Sequence, residues 1–454
     1  MPDRRVIEVR EYETRIVDAV SLSDGDRCIV ESPHLDSRLQ LRALDRDRLE
    51  IRADCHVGVV VLDALEIRVV PKLVGGDLGV LRMVEYVANS TAVRRFDIPR
   101  TLDTGGTHLR DLVCLLLARE CESLLSAGPR SDYRARHEAL PVLRGRLLPD
   151  RQLLHRYGRL DQLECRYDER STDILDNRLC AAALALAART ATAPGIRSRV
   201  RRLAADFRTL CDPGRVDHRQ AAAELHYGRH NEYYRPAHRW ALLLLNSGGI
   251  RDLFSSGPAD ERVFLLDMNV LFEDFVTCLT GKAVAPLGVT VRAQSRHRGI
   301  LVHEDTATTH SEVCPDLMLT VGHGPTAWRR PLDVKYKLYA DRKLSAPDLY
   351  QAFLYSHALS ADPRPGTTAE CLLVYPGPRD TPPRTVAVRT AAGRLTSRIT
   401  AHALDVPEVL EALMANREAR VLRQLADQML APSVPMSQSP QALLTRSGAG
   451  LSAV

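Results

Sequence analysis

The chain has 454 residues, of which 45% are hydrophobic and 26% charged, so it is long enough for two or three domains with separate cores. Its net charge of +5 permits an acidic polymer as a partner but does not require one. No apolar run is long enough to cross a bilayer, and the first residues lack the apolar segment of a signal peptide, so we expect a cytoplasmic protein. The ten cysteines include no Cys-x-x-Cys pair, which argues against a structural zinc site and against a disulfide framework.

The first part of the chain, residues 5–72, alternates apolar and polar residues between turn signals, which predicts a β-rich domain. The predicted strands are Arg5–Val9, Arg27–Val30, Leu39–Leu44, Leu49–Ala53, Val57–Val61 and Leu65–Val70. Helical spacing of apolar residues then predicts helices at Leu78–Val87 and Arg110–Leu125.

The middle region, residues 130–245, is predicted to be mixed but mainly helical. Pro141–Leu147 and Leu163–Tyr167 could pair as strands, and helices are predicted from Thr172 to Ala188 and over Ser198–Leu210. The segment Tyr227–Pro236 crowds aromatic, His and Arg residues, as do both nucleic-acid contact surfaces and capped helix ends with buried tyrosines. We favour buried tyrosines, because nothing in the sequence indicates that this segment is exposed.

A different pattern begins near residue 262. Arg262–Leu279 is predicted to be one amphipathic helix, and Glu273 within its apolar face lies either at the edge of that face or toward a cation. Further strands are predicted at Val289–Ala293, Ile300–Val302, Glu370–Tyr375, Thr385–Val388 and Arg398–Ala403. We expect Glu408–Met429 to form one charged helix and the Ser-, Pro- and Gly-rich residues 431–454 to be a disordered tail.

Two short apolar runs between these strands carry the candidate chemistry. Pro315-Asp316-Leu317-Met318 and Leu332-Asp333-Val334-Lys335 read as buried strands joined by a Gly-rich turn, so both carboxylates and the lysine can converge at one end of a sheet. Two carboxylates that close repel each other unless a divalent cation lies between them. The next helix is predicted to begin at the N-cap Ser345, and it carries Gln351 and Tyr355 on one face.

The distribution of lysines along the chain also indicates the segment that contains Asp333. The 62 basic residues include five lysines, at 72, 282, 335, 337 and 343, so 57 are arginine, and two of the five lysines lie within Asp333–Lys337. Lysine is a compact charge whose proton affinity can be tuned, so a position that needs this chemistry resists replacement by arginine; chance clustering is the alternative.

These residues predict a metal-dependent phosphodiesterase centre. Asp316, Asp333 and the main-chain carbonyl of Val334 would bind Mg²⁺, for which Mn²⁺ can substitute. Lys335 would orient or deprotonate the attacking water, and Gln351 and Tyr355 would hydrogen-bond the phosphate or orient the lysine.

This order of residues resembles the PD-(D/E)xK nuclease superfamily, and the Gln-x-x-x-Tyr element resembles its RecB-like branch. The chain is more closely similar to the McrC family, in segments that reach from near its start to about residue 410. These segments are Gly58–Val60 with Ile67–Lys72, Arg144–Leu147, Asp173–Leu179, Phe264–Val276, Pro315-Asp316, Leu332–Lys337 and Asp348–Gln351. Cys314 departs from the pattern, because the family usually has an arginine before Pro-Asp.

The resemblance implies an α/β fold, α+β overall, in four parts. These are a β-rich N-terminal partner-docking domain (1–98), a mixed, mainly helical middle region (99–245), a PD-(D/E)xK restriction-endonuclease-like domain (246–415), and a helix end with a disordered tail (416–454). The family pattern and its place on a helix add Glu273 to the predicted metal ligands.

The resemblance also implies the nuclease subunit of a modification-dependent restriction system that cuts double-stranded, including methylated, DNA in antiviral defence. Such subunits work with McrB, a ring-forming AAA+ GTPase, and the N-terminal half would dock on that ring and stimulate its GTP hydrolysis. The chain has no phosphate-binding Gly-rich loop, so we expect it to bind no nucleotide itself. The alternatives are a stand-alone RecB-like DNA nuclease and a non-catalytic, GTPase-activating scaffold.

Overall fold

The computed structural model describes residues 4–44, 47–88, 109–159, 161–212, 214, 216, 218–246, 262–324, 327–337, 339, 343–362, 367–415 and 417–430. The predicted mixed α/β class is confirmed. The chain forms two compact units: unit 1 comprises Met1–Arg5, Gly58–Ile67 and Asp103–Leu266, and unit 2 comprises Val6–Val57, Arg68–Leu102 and Asp267–Val454. The four-part division at residues 98, 245 and 415 stays a prediction, and the predicted tail lies outside the described residues.

Strands and helices alternate along the chain. The strands are β1 (Arg5–Arg10), β2 (Thr14–Asp18), β3 (Leu39–Ala43), β4 (Arg48–Ala53), β5 (His56–Val61), β6 (Leu65–Val70), β7 (Asp132–Leu140), β8 (Arg146–Leu147), β9 (Leu163–Ser171), β10 (Val263–Asp267), β11 (Thr290–Ala293), β12 (His297–Val302), β13 (Thr309–Val313), β14 (Leu317–Val321), β15 (Trp328–Val334), β16 (Ala369–Pro376), β17 (Arg384–Arg389) and β18 (Leu395–Leu404). The helices are α1 (Asp24–Val30), α2 (Pro33–Asp36), α3 (Asp77–Ala88), α4 (Leu109–Ala127), α5 (Pro149–Arg156), α6 (Leu175–Thr190), α7 (Pro194–Leu210), α8 (His218–Glu224), α9 (Arg235–Leu245), α10 (Met268–Val284), α11 (Ala346–Leu359), α12 (Val406–Met414) and α13 (Glu418–Leu430). None of the described helices is long and apolar enough to cross a membrane.

The prediction of a strand at Arg27–Val30 is wrong, because these residues end helix α1. Ser23 caps that helix: its hydroxyl accepts from the main-chain N–H of Asp26 at 3.1 Å, and the Asp26 carboxylate accepts from the N–H of Ser23 at 3.2 Å. This capping box satisfies two donors that would otherwise lack partners and favours the helix over the apolar residues' strand preference.

Two predicted helices are also corrected. Residues 263–267 form strand β10, and helix α10 begins only after Asp267, whose side chain accepts from the N–H groups of Asn269 and Val270. The single helix predicted over Glu408–Met429 is two helices, α12 and α13, because the chain leaves the helix at Ala415.

A six-stranded mixed sheet forms the centre of unit 2, in the order β11-β14-β15-β16-β18-β17. The predicted pairing of β14 with β15 is present and antiparallel, with Leu317 opposite Leu332. Strands β15, β16 and β18 run parallel, which buries β15 in the middle of the sheet. Helix α11 packs against this sheet through a core that includes Ala352, Tyr355 and Leu359. The residues directly before Lys335 therefore form a strand in the interior of the sheet.

Unit 1 combines helices α4, α6, α7 and α9 with a small sheet in the order β7-β9-β8. Strand β7 was not predicted, because its sequence DYRARHEAL has few apolar residues and its side chains are mostly exposed. Tyr234 is fully buried, and its hydroxyl donates to Asn177 Oδ1 at 2.6 Å. The aromatic segment Tyr227–Pro236 thus contributes a buried tyrosine, as the favoured interpretation expects.

Candidate active site

The two predicted carboxylates meet where β14 begins and β15 ends. Asp316 directly precedes β14, and its Oδ2 accepts a hydrogen bond from the main-chain N–H of Val334 at 2.7 Å. Asp333 lies on β15 with its side chain fully buried, and it is close enough to Asp316 for the two carboxyl groups to interact. The antiparallel pairing of β14 and β15 therefore brings together acids that are 17 positions apart in the sequence.

Asp333 is buried in a position that disfavours its charged form. Burial, and then the neighbouring Asp316 carboxylate, raise the pKa of Asp333 to about 8, although Lys335 acts in the opposite direction. Asp333 Oδ1 accepts from Lys335 Nζ at 3.0 Å, whereas Oδ2, 2.9 Å from the same nitrogen, accepts no hydrogen bond from any described residue. Oδ2 is thus compensated only by its ion pair with Lys335, and a cation or proton bound there would supply the hydrogen-bonding or coordination partner that it lacks.

Lys335 directly follows β15 and points back to the acids. Its main-chain N–H donates to Val374 O on β16 at 2.8 Å, which fixes the backbone on the sheet side. Burial lowers the pKa of Lys335, but the carboxylates of Asp333 and Asp316 outweigh burial, and the net pKa lies above the ordinary lysine value. The lysine is therefore charged beside the acidic pair.

Helix α11 brings Gln351 and Tyr355 to the same strand ends. Ser345 caps the helix, as predicted, and Gln351 Nε2 donates to the Tyr355 hydroxyl at 2.7 Å. That hydroxyl in turn donates to Cys314 O at 2.8 Å, two residues before Asp316. Because the bond uses the main chain, it does not depend on the unusual cysteine at this position.

Glu273, on α10, is linked to Asp316 through a residue that the sequence did not reveal. Gln294 directly follows β11; its side chain donates to Glu273 Oε1 at 2.9 Å, and its main-chain N–H donates to Asp316 O at 2.8 Å. Its backbone has a φ of 47°, which is unusual for a residue other than glycine. The signal in the sequence is only a polar residue after a short strand, and it could not have identified this role.

The site offers carboxylate oxygens, the ligands that a hard divalent cation needs. Among the described residues, no three His, Cys, Asp or Glu side chains are grouped closely enough to hold a metal ion. Asp316 and Asp333 do lie together, and the buried Asp333 Oδ2 has an ion-pair contact with Lys335 but no hydrogen bond from the described residues. Magnesium in phosphoryl-transfer sites is commonly held by one or two carboxylates with water and substrate oxygens, so the residues present fit the ion.

Comparison with known proteins identifies the family. Residues 51–376, more than half of the chain, match the family described as McrBC 5-methylcytosine restriction system component. The chain belongs to this family. The resemblance predicted from the sequence is thereby confirmed, whereas no curated protein matches the chain in sequence.

Two solved structures are similar to this McrBC family member. One is a chain from the refined half-complex of the tetradecameric assembly of Thermococcus gammatolerans McrB AAA+ hexamers with bound McrC. It has a TM-score of 0.62 and 18% sequence identity, and the match covers 94% of the present chain and 100% of that chain. A chain in the cryo-EM structure of the Thermococcus gammatolerans McrBC complex has 20% identity, a TM-score of 0.44 and coverage of 62% and 88%. The first likeness establishes a common fold over nearly the whole chain.

Proposed function

We propose that this McrBC family protein is the DNA-cleaving subunit of a GTPase-driven restriction complex, and that it hydrolyses phosphodiester bonds with Mg²⁺. The observation that carries the proposal is the pairing of Asp316 with the buried Asp333, with Lys335 Nζ 3.0 Å from Asp333 Oδ1. Burying charges costs free energy that their attraction often does not recover, so an acidic pair with a lysine at the end of a buried strand is explained better by chemistry than by stability.

The side chains have separate roles in this proposal. Asp316, Asp333 and the Val334 carbonyl would hold Mg²⁺ or Mn²⁺, which would supply an acidified water and neutralise charge at the phosphorus. Glu273, which is linked to Asp316 through Gln294 and is not grouped with the two acids, would contribute as the sequence pattern predicts. Lys335 adds positive charge where negative charge grows on the phosphate oxygens, and it holds the attacking water. Tyr355 and Gln351 keep the segment before Asp316 in place, so that the acids keep their spacing.

A McrB-like AAA+ GTPase ring is the proposed partner, and the chain itself would bind no nucleotide. The fold likeness to a chain from an assembly of McrB hexamers with bound McrC supports this partner. Unit 1 also has an apolar arm, which we define as residues 132–171 (β7, β8, α5 and β9). Six of the twelve large exposed apolar side chains of the described residues lie on it: Tyr133, Val142, Leu143, Leu153, Leu154 and Tyr157. Half of the large exposed apolar side chains thus fall in one segment of the chain, and we assign the partner's docking surface to that segment.

The proposed activity is tested with the purified chain, its McrB-like GTPase, Mg²⁺, GTP and DNA containing 5-methylcytosine. Asp333→Ala and Lys335→Ala are expected to abolish cleavage, and Lys335→Arg to reduce it about 100-fold, because arginine keeps the charge but changes geometry and proton affinity. Lys282→Arg is the matched control, since Lys282 lies on α10 and bonds Glu418. Mg²⁺ is also expected to raise the thermal unfolding temperature of the wild type but not of Asp333→Ala.

Each outcome separates the alternatives. Full cleavage by both alanine variants would show that these residues are not catalytic. Cleavage without the GTPase would indicate a stand-alone nuclease. Stimulation of GTP hydrolysis by a chain that never cuts DNA would indicate a non-catalytic scaffold.

A further inference from the structure

The residue after the candidate catalytic lysine is held from a distant part of the chain. Tyr336 is buried, and its hydroxyl donates to Glu11 Oε2 at 2.9 Å. Its main-chain carbonyl accepts from the Tyr12 hydroxyl at 2.6 Å. Glu11 and Tyr12, which follow β1, therefore hydrogen-bond the side chain and the main chain of Tyr336. All three residues belong to unit 2.

We infer that Glu11 and Tyr12 are positioning residues for the candidate active site, acting through Tyr336 to set the place of Lys335. The inference rests on the proposed function, but its central measurement does not require DNA cleavage. Lys335 is fixed on one side by its N–H bond to Val374 O, and on the other side the carbonyl of the next residue, Tyr336, is fixed by Tyr12. Loss of the second anchor frees the backbone next to the lysine while the strand remains intact.

The conformation of Tyr12 supports a positioning role. Its φ of 60° lies in the left-handed region, which is unfavourable for a bulky residue. Its N–H donates to Asp54 O at 3.3 Å, and its side chain reaches Tyr336. Strained backbone that is held by bonds at both ends is concentrated at functional sites.

Glu11 is anchored as firmly as Tyr12. It is 1% exposed, and its Oε2 also accepts from the main-chain N–H of Lys72 at 2.7 Å. The acceptor for the Tyr336 hydroxyl is therefore fixed by the backbone that follows β6. A fixed acceptor can hold a side chain in one rotamer, which a solvated glutamate could not do.

The same contacts extend to the helix that carries Glu273. The Tyr336 ring packs on Phe272, the neighbour of Glu273, with ring centroids 5.6 Å apart. The N–H of Met268, the first residue of α10, donates to Cys55 O at 2.9 Å, one residue beyond the Asp54 that binds Tyr12. Tyr336 therefore lies between the lysine segment and α10, and segments before residue 57 hold both.

The chain offers a matched control in Tyr86, a tyrosine of α3 that packs against the same helix α10. Tyr86 is buried, packs on Phe275 of α10 with centroids 5.4 Å apart, and donates to Glu418 Oε1 at 3.3 Å. Lys282 Nζ lies 4.2 Å from the centre of the Tyr86 ring. Tyr86→Phe thus removes the same kind of tyrosine–glutamate bond as Tyr336→Phe, but beside a different lysine.

The first measurement uses the five lysines of the chain. The full chain is labelled with ¹³Cε-lysine, and the NMR signals are assigned by single Lys→Arg variants. Tyr336→Phe and Tyr12→Phe are expected to shift or broaden the Lys335 signal and leave the Lys282 signal in place. Tyr86→Phe is expected to do the reverse. An unchanged Lys335 signal in both Tyr336→Phe and Tyr12→Phe overturns the inference, whether or not the wild type cuts DNA.

The second measurement is the rate of DNA cleavage in the complex. Tyr336→Phe and Glu11→Leu are expected to lower kcat about 10-fold or more with little change in KM, because small displacements of a reacting group are costly. Glu11→Gln keeps an oxygen that accepts from Tyr336 and is expected to recover most of kcat. Equal loss in Glu11→Gln and Glu11→Leu, or loss in Tyr86→Phe as large as in Tyr336→Phe, contradicts positioning through this hydrogen bond. A wild type that does not cut, with Lys335 signals that respond as expected, refutes the proposed function and leaves the positioning inference supported.

Discussion

The protonation state of the buried Glu11 carboxyl affects the free energy of unfolding, which therefore depends on pH. Burial raises the pKa of Glu11 to about 7, and the hydrogen bonds from Lys72 and Tyr336 offset only part of that rise. The fold therefore favours the protonated form, so the stabilising contribution is complete below the unfolded pKa of 4.5 and is lost as pH rises through about 7. Above that range the contribution is absent.

Glu11→Gln provides the test, because glutamine cannot titrate. The unfolding temperature of the wild type minus that of the variant is expected to fall between about pH 5 and about pH 7 and to level off by about pH 8. Thermal unfolding of both proteins in the same buffers measures it. A difference that is constant over this range, or that rises with pH, would show that Glu11 titrates normally.

Gln294 combines a strained backbone with a side-chain hydrogen bond to Glu273. A glycine substitution here, compared with one at a second strained residue, distinguishes the effect of the strain from that of the hydrogen bond. Gln294→Gly removes the cost of a φ of 47° but also the donor to Glu273 Oε1. We expect unchanged or higher thermal stability with about a 10-fold higher Mg²⁺ requirement for cleavage, because residues that orient ligands contribute that much to affinity. Ala307→Gly, at a φ of 52° in the β12–β13 loop, is the control, and should affect stability alone. An unchanged Mg²⁺ midpoint in Gln294→Gly would argue that Glu273 needs no such support.

The sequence revealed some of these residues and not others for a physical reason. Asp316, Asp333 and Lys335 lie in short apolar runs, and Gln351 and Tyr355 share a helix face, so local patterns were enough to select them. Glu11 and Tyr336 are 325 positions apart, and nothing local to either residue indicates their bond. Gln294 depends on a positive φ, which its residue type does not suggest.

At the scale of elements, the Tyr355 hydroxyl links helix α11 to the segment that precedes β14. Tyr355→Phe removes the donor to Cys314 O and the acceptor for Gln351, which is expected to cost about 1 kcal/mol of unfolding free energy. Cleavage should fall by more than stability suggests, since Cys314 precedes the Pro315-Asp316 pair. Chemical denaturation and cleavage assays measure the two effects.

Tyr375→Phe is the control for this prediction. Tyr375 belongs to the same hydrophobic core, but its buried hydroxyl has no hydrogen-bond partner among the described residues. Removing that hydroxyl is expected to leave stability unchanged or higher and cleavage intact. Equal effects of the two substitutions would mean that the Tyr355 hydroxyl contributes only packing.

The elements that were mispredicted share a cause. Apolar residues at 27–30 suit a strand, but the polar pair Ser23 and Asp26 before them starts a helix, and the cap decides the outcome. Residues 263–267 continue the apolar face of α10 in sequence, yet the Asp267 cap separates strand from helix. Strand β7 is mostly exposed, so it lacks the apolar alternation by which strands are recognised.

At the scale of the whole molecule, the apolar arm of unit 1 is the surface to test for partner binding. Leu154 is 78% exposed and Tyr157 83% exposed, and no residue of α5 is buried. A charged substitution at either position therefore leaves the fold intact but places an unpaired charge in any interface that covers the arm. Buried unpaired charges cost several kcal/mol, so one substitution is enough to break a complex.

Leu154→Glu and Tyr157→Glu are expected to weaken association with the McrB-like ring about 100-fold or more, corresponding to about 3 kcal/mol. Val302→Glu, at an exposed apolar residue of β12 in unit 2, is the matched control and should bind as the wild type does. Size-exclusion chromatography with GTP and ring-stimulated GTP hydrolysis measure the association. The Mg²⁺-induced rise in unfolding temperature of the isolated chain should be the same in all three variants, because the acidic pair lies in unit 2. If both arm variants bind and stimulate the ring normally, the arm is not the docking surface, and the exposed apolar residues of unit 1 need another partner.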